Sequence, residues 1–196
     1  MIERWSRSVN GLSPWLAVWL AVGAVAIPTA AQDSSGPGLE YQIKATFIYN
    51  FAKFVEWPVD RPNADGPILV GIYGKDPFGA TLDQALRGKT VNGRVLEAHR
   101  LTGLQQVKQY HILFISSAEK KHLGQILSAV GDGSVVTVGE TENFAQQGGM
   151  VNFVRKDNSV GLEINVSAAG RARIRISSKL LKLARVVQDK GRAGED

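Results

Sequence analysis

"ILVGIYGKDPFGATLDQALRG", residues 68–88, changes its hydrophobic period part-way along. Residues 68–74 are an almost unbroken apolar run with β-branched Ile68, Val70 and Ile72, the composition of a strand covered on both faces. After Gly74, Asp76 and Pro77 form a helix cap and first-turn pair, and "PFGATLDQALRG" reads as the helix that follows. A doubly buried strand running straight into a helix is the unit from which parallel α/β sheets are built.

The same rhythm continues downstream. "HILFIS" (111–116) is a second nearly all-apolar strand, and "AEKKHLGQILSAVG" (118–131) sets Leu123, Ile126, Leu127 and Val130 on one helical face. "SVVTVG" (134–139) is a third strand, and "ENFAQQGG" a short helix or turn. "KTVNGRVLEAHRL" is β-like with a turn at Asn92-Gly93, and "MVNFVRKDNSVGLEINV" is two alternating strands about "KDNS", a hairpin. The last stretch, "SAAGRARIRISSKLLKLARVV", is expected to be helical from Ser178 onward, with Leu180, Leu181, Ala184 and Val187 on its apolar side. The expected fold is α/β: a single domain with a mostly parallel sheet flanked by helices and an antiparallel hairpin near one edge.

Upstream, "YQIKATFIYNFAKFVEWP" (41–58) is dense in aromatic residues. Lys44, Ile48, Phe51 and Val55, joined by Phe47 and Phe54, recur at helical spacing, with Asn50, Lys53 and Glu56 opposite. This is an amphipathic helix whose apolar face packs on the sheet. Pro58 pushes Trp57 out of the helical region, so the helix is expected to stop there.

The chain opens with Arg4 and Arg7, an apolar run of 13 residues from Trp15 to Ile27, and small Thr29 and Ala31. That is the pattern of a cleaved secretory signal peptide over 1–31, its apolar run being shorter than the ~20 residues a permanent span needs. Residues 32–38, "QDSSGPG", read as a linker, 39–188 as the domain and 189–196 as a polar tail. Removing Glu3, Arg4 and Arg7 takes the formal charge from +5 to +4, a mild basic balance suited to an anionic partner. Nucleic acid is excluded as a partner for an exported protein. The chain has 0 cysteines, so no disulfide, thiol nucleophile or thiol switch operates in it.

No catalytic, metal or cofactor site is expected. His99, His111 and His122 stand 12 and 11 residues apart, without the close pairs of zinc sites. "GKDPFG" precedes a helix, but Ala80 and Thr81 stand where a phosphate loop needs Lys and Ser/Thr. No G-x-S-x-G elbow appears. Between Ile164 and Gln188 lie six basic residues and no acid. This run is either a solvated face or a ridge for an acidic partner or anionic lipid. The partner-binding candidates are Arg171, Arg173, Arg175 and Lys179, with Phe153 and Ile174 as apolar anchors. Glu163 and Asn165, two apart in "GLEINV", project to one face of a strand. With Arg171 they could hold a small anionic ligand; equally, the pair could orient an arginine or cap the terminal helix.

"IKATFIYNFAKFVEWP", "GIYGKDPFG", "HILFIS", "FAQQGGMVNFV" and "LEINVSAAGRARIRISSKLLKLARVV", taken in order, resemble the YfiR-like family of exported bacterial regulators over about Leu39 to Val187. The resemblance implies a periplasmic, non-enzymatic α/β regulator that represses an inner-membrane diguanylate cyclase, limiting cyclic di-GMP output and biofilm formation. Its implied partner is the periplasmic domain of that signalling protein. The other expected associations are a homodimer and the small anionic ligand of a sensor domain. The family's type member is redox-linked through cysteines; here that control cannot carry over.

Overall fold

The computed structural model describes residues 37–61, 63–156 and 159–189. The expected signal peptide, linker residues 32–36 and tail residues 190–196 lie outside the described residues.

Strand β2, Ile68–Tyr73, is apolar along its length because protein covers both of its faces. It pairs in parallel with β4, Arg94–Leu101, on one side and with β5, Ile112–Ile115, on the other. Beyond β5 come β6, Val136–Gly139, and β7, Val151–Lys156, both parallel. Strand β8, Ser159–Asn165, folds back antiparallel on β7 in the register Val151↔Ile164, forming the expected hairpin. Strand β3, Thr90–Val91, closes the β4 edge through a two-residue turn in which Asn92 (φ 51°) and Gly93 (φ 78°) are both left-handed. That pairing of Asn and Gly is the one a tight hairpin favours. The chain leaves β2 toward β4 but leaves β5 toward β6. The crevice at the carboxyl ends of β2 and β5 is therefore the topological switch point, where open α/β sheets place their sites.

Helix α1, Pro37–Phe54, lies on one face of the sheet. It buries Lys44, Ala45, Ile48, Phe51 and Ala52, one face at the spacing of 3.6 residues. Phe51 stacks on Phe153 of β7 with ring centroids 5.9 Å apart. The helix ends at Phe54, before the expected Trp57, because Val55–Glu56 (β1) leave to pair antiparallel with Arg175–Ile176 (β9). Helix α2, Ala80–Leu86, starts three residues later than Pro77. The Asp76 carboxylate does accept a backbone N–H, from Phe78 at 2.7 Å, but it closes a turn, and Gly79 at φ 53° opens the helix. Helix α3, Leu123–Val130, covers the opposite face with Leu123, Ile126 and Val130 buried, after a 3-10 turn over Ser117–His122.

The C-terminal segment departs most from expectation. After α4, Val166–Arg171, and β9, the helix from Ser178 (α5, Ser178–Leu181) lasts four residues. Arg185–Val187 then form β10, parallel to β8, in the register Val186↔Ile164. The apolar spacing of Leu180, Leu181, Ala184 and Val187 mimics a helix, yet the open edge of β8 recruits the β-branched end as a strand. The eight strands lie in the order β10-β8-β7-β6-β5-β2-β4-β3.

Candidate functional site

The expected basic ridge is split by the fold. Helix α4 ends in a paired-turn cap: Ile174 N–H donates to Ala169 O (2.9 Å) and Arg173 N–H to Gly170 O (3.0 Å), with Arg173 at φ 55°. Glycine is the usual occupant of that left-handed position. An arginine there costs about 1 kcal/mol relative to glycine, and it points a long cation outward. Arg173, Arg175 and Lys179 are exposed. Arg173 meets Asp60 at 2.8 Å and Arg175 meets Glu56 at 3.6 Å, so two acids interrupt the positive strip. These pairs are open to solvent and weakened by salt. Phe153 and Ile174 are each 4% exposed. They are core residues, and the expectation that they anchor a partner is corrected: the sheet and α1 already cover them.

Arg171 leaves the ridge. Its Nη1 donates to Asp189 Oδ2 at 2.7 Å, and Asn165 Nδ2 donates to the other oxygen of the same carboxylate. Asn165 also caps α4, its Oδ1 accepting from Ala168 N–H at 3.0 Å, and donates to Ala145 O at 2.7 Å. Glu163, two residues away, pairs with Arg185 of β10 and accepts from Gln146 (3.3 Å) and Asn152 (3.4 Å). Burial pushes the Glu163 carboxyl up, but these donors outweigh it and hold it below its ordinary value. One reading of the Glu163–Asn165 pair, the oriented arginine, is thus realised; Asn165 caps α4, whereas the terminal helix α5 is capped by Ser177, whose Oγ accepts from Lys179 N–H at 3.3 Å. The anion facing Asn165 and Arg171 is the protein's own Asp189. These three residues fasten the C-terminal strand.

A second constellation went unread in the sequence. Lys44 stands on the apolar stripe of α1, and that misplacement was its signal. It is 4% exposed, and its Nζ lies 2.5 Å from Glu40 and 2.7 Å from Glu140, the residue that follows β6. Glu140 also accepts from Tyr41 Oη at 3.2 Å and from Ser117 Oγ at 3.1 Å. Burial, then the charge of Glu140, pushes the Tyr41 phenol up to about 12, so it stays protonated and donates. Lys44, chiefly by hydrogen bonding, holds Glu40 below the usual carboxylate range, with Arg155 at 3.1 Å assisting. The group opens on a cavity of about 360 Å³ beyond the carboxyl ends of β5 and β6, walled by Leu39, Ile43 and Val160. Each polar group at its floor is paired with another. The arrangement braces α1 against the sheet.

The family described as YfiR/HmsC-like (DUF4154) matches residues 41–185. The chain belongs to that family. YfiR/HmsC-like proteins are regulatory, non-catalytic proteins that bind a partner's periplasmic domain. The matched span runs from Tyr41 to Arg185, so the Lys44–Glu140 group and the Glu163–Arg185 pair both lie inside it. No curated protein sequence matches the chain.

Among solved structures, a conserved domain protein from Vibrio cholerae O1 biovar El Tor matches with a TM-score of 0.52 at 10% identity, over 74% of this chain and 59% of that one. An ABC domain from Streptococcus pneumonia in complex with L-Trp matches at 0.47 and 10% identity, over 73% and 60%. The ligand-free, open form of CD0873, a substrate-binding protein with adhesive properties from Clostridium difficile, matches at 0.43 and 9% identity, over 65% and 56%. The chain therefore spans at most 60% of the length of these structures. The first of them supports the α/β fold of this YfiR/HmsC-like protein.

Proposed function

We propose that this protein is exported to the periplasm by a cleaved signal peptide. There it binds, without catalysis, the outer domain of an inner-membrane diguanylate cyclase and holds it inactive, limiting cyclic di-GMP output and biofilm formation. The observation that carries this reading is the YfiR/HmsC-like match over residues 41–185.

The docking surface is the exposed strip of Arg173, Arg175 and Lys179. The left-handed Arg173 supports it: backbone strain retained at a surface position points to a use for the side chain. Repression requires that the chain bind the inactive partner state more tightly, since equal affinity for both states shifts nothing. With 0 cysteines, release follows a signal other than thiol oxidation.

Crosslinking in cells, followed by identification of the captured membrane protein, tests the proposal. Capture of a cyclase that is lost in the Arg173→Glu/Lys179→Glu double variant, with the fold intact, is the expected result. Unchanged capture by that variant removes the strip from the interface, and capture of no membrane protein removes the repressor role.

A further inference from the structure

Between β1 and β2 the chain turns an arginine back into the protein. Arg61 is 6% exposed. Its Nη2 donates to the backbone oxygens of Tyr110 (3.0 Å) and Gln109 (3.4 Å). Its Nε and Nη1 are also buried, and they meet no acceptor among the described residues. A second guanidinium, Arg94 of β4, lines the same pocket. Arg94 Nε donates to Gly66 O at 2.6 Å, and its Nη2 lies near the oxygens of Asn63 (3.2 Å) and Pro67 (3.4 Å).

Neither arginine forms an ion pair among the described residues. Asp65, exposed at the rim, acts on Arg94 only through space, and Glu56 on the other rim is 3.6 Å from Arg175. His111, fully buried behind them, adds a donor surplus. Its Nδ1 faces Leu69 N–H at 3.1 Å and its Nε2 faces Arg94 Nη2 at 2.6 Å. A neutral imidazole has one lone pair for these two donors. Burial, with the neighbouring arginine charges, pushes His111 down to about 3, so it stays neutral; burial and then Arg94 push Arg61 down to about 10.

Buried guanidinium donors without acceptors carry a large desolvation cost, and an oxyanion is the group that removes it, through charge-assisted hydrogen bonds. The pocket holds about 390 Å³; Val55, Trp57, Ile68 and Val91 give it an apolar side, while Asn92 and the carboxylates of Glu56 and Asp65 also line it. That volume and lining match a small organic molecule with one charged end.

We propose that the pocket between Arg61 and Arg94 binds a small organic anion, its carboxylate or phosphate head on the two guanidinium groups and its apolar body against Val55, Trp57 and Ile68. Binding here needs no partner protein, so it stands or falls separately from the docking strip.

Calorimetry on the full chain at low salt, with phenyl phosphate, benzoate, inorganic phosphate and benzyl alcohol as probes, tests it. Saturable binding of phenyl phosphate or benzoate, with Kd below about 1 mM, and silence from benzyl alcohol is expected. Which of the two anions binds more tightly identifies the head group. Arg61→Met is expected to weaken that binding at least about tenfold while unfolding no earlier than the parent in probe-free buffer. Arg61→Lys, which keeps the charge in a different donor geometry, gives a smaller loss and carries the test if Arg61→Met does not fold. Arg155→Met, elsewhere on the surface, leaves binding unchanged. Silence with both organic anions, undiminished affinity in the Arg61 variants, or inorganic phosphate binding as tightly as phenyl phosphate would overturn the assignment.

Discussion

Lys44 and Arg61 are both nearly sealed from water, yet Lys44 lies between two carboxylates whereas Arg61 faces only backbone oxygens. Lys44 sits beyond the carboxyl end of β6, where α1 meets Glu140, and its charge is answered by residues close and distant in sequence. Arg61 sits near the start of β2, where the described residues supply no anion. Burying a charge in a matched pair makes a clamp, whose removal exposes the partner's own desolvation cost. Burying one without a match leaves affinity unspent until something from outside completes it. The same physical expense thus serves cohesion in one region and recognition in the other.

Paired substitution separates the two sites most visibly. Lys44→Met leaves Glu140 buried without its cation and is expected to lower stability by about 3–5 kcal/mol, read by urea unfolding. Adding Glu140→Gln is expected to restore much of that loss, because the stranded charge goes with it. Arg61→Met in the same assay is expected to cost nothing measurable. Equal losses at the two sites would erase the distinction.

Acid titration also tells the two regions apart, because they fail in different pH windows. His111 has a folded value near 3, below its unfolded value of about 6.5. Its neutral burial is therefore fully favourable above pH 6.5 and loses ground as pH falls and the unfolded chain takes up the proton. The loss should reach about 3 kcal/mol by pH 4.5. His111→Asn should flatten that slope. In the Lys44 region, Glu40, held below the ordinary carboxylate range, keeps its contribution down to about pH 4.5 and loses it only as pH falls through its depressed folded value. A single acid transition below pH 4 in parent and variant alike would contradict the separation.

The smallest expected effect concerns a third kind of cation, one exposed and strained. Arg173→Gly relieves the left-handed backbone and should raise stability by about 0.5–1 kcal/mol in thermal or urea unfolding, while weakening partner capture. A destabilised glycine variant would mean that the Asp60 contact outweighs the strain.

The sheet was legible because its strands declare themselves locally. Ile68–Tyr73, Ile112–Ile115 and Val136–Gly139 are apolar on both faces, and Asn92-Gly93 names its own turn. Val55–Glu56 and Arg185–Val187 were not legible, because their state is decided by strands β9 and β8 brought in from elsewhere in the chain. Propensity cannot see a partner edge. The basic residues were visible as a run, but Arg171 is withdrawn by Asp189, a contact between segments with no periodic signature. Lys44 was readable in principle as a charge on an apolar stripe. Arg61 was not, since it sits in the turn-rich "PVDRPNADGP", where no spacing announces that a side chain points inward.

The contact between Tyr41, Lys44 and Glu140 spans nearly 100 residues of chain. Helix α1, the longest among the described residues, is thus made early in synthesis and receives its closing contact late. Until β6 and β7 exist, Phe47, Ile48 and Phe51 have no surface to lie on, and the nascent segment is a natural client for a holding chaperone. Maturation of this protein should accordingly be gated by elongation past residue 153, with protease resistance of the helix appearing only once that length has been reached.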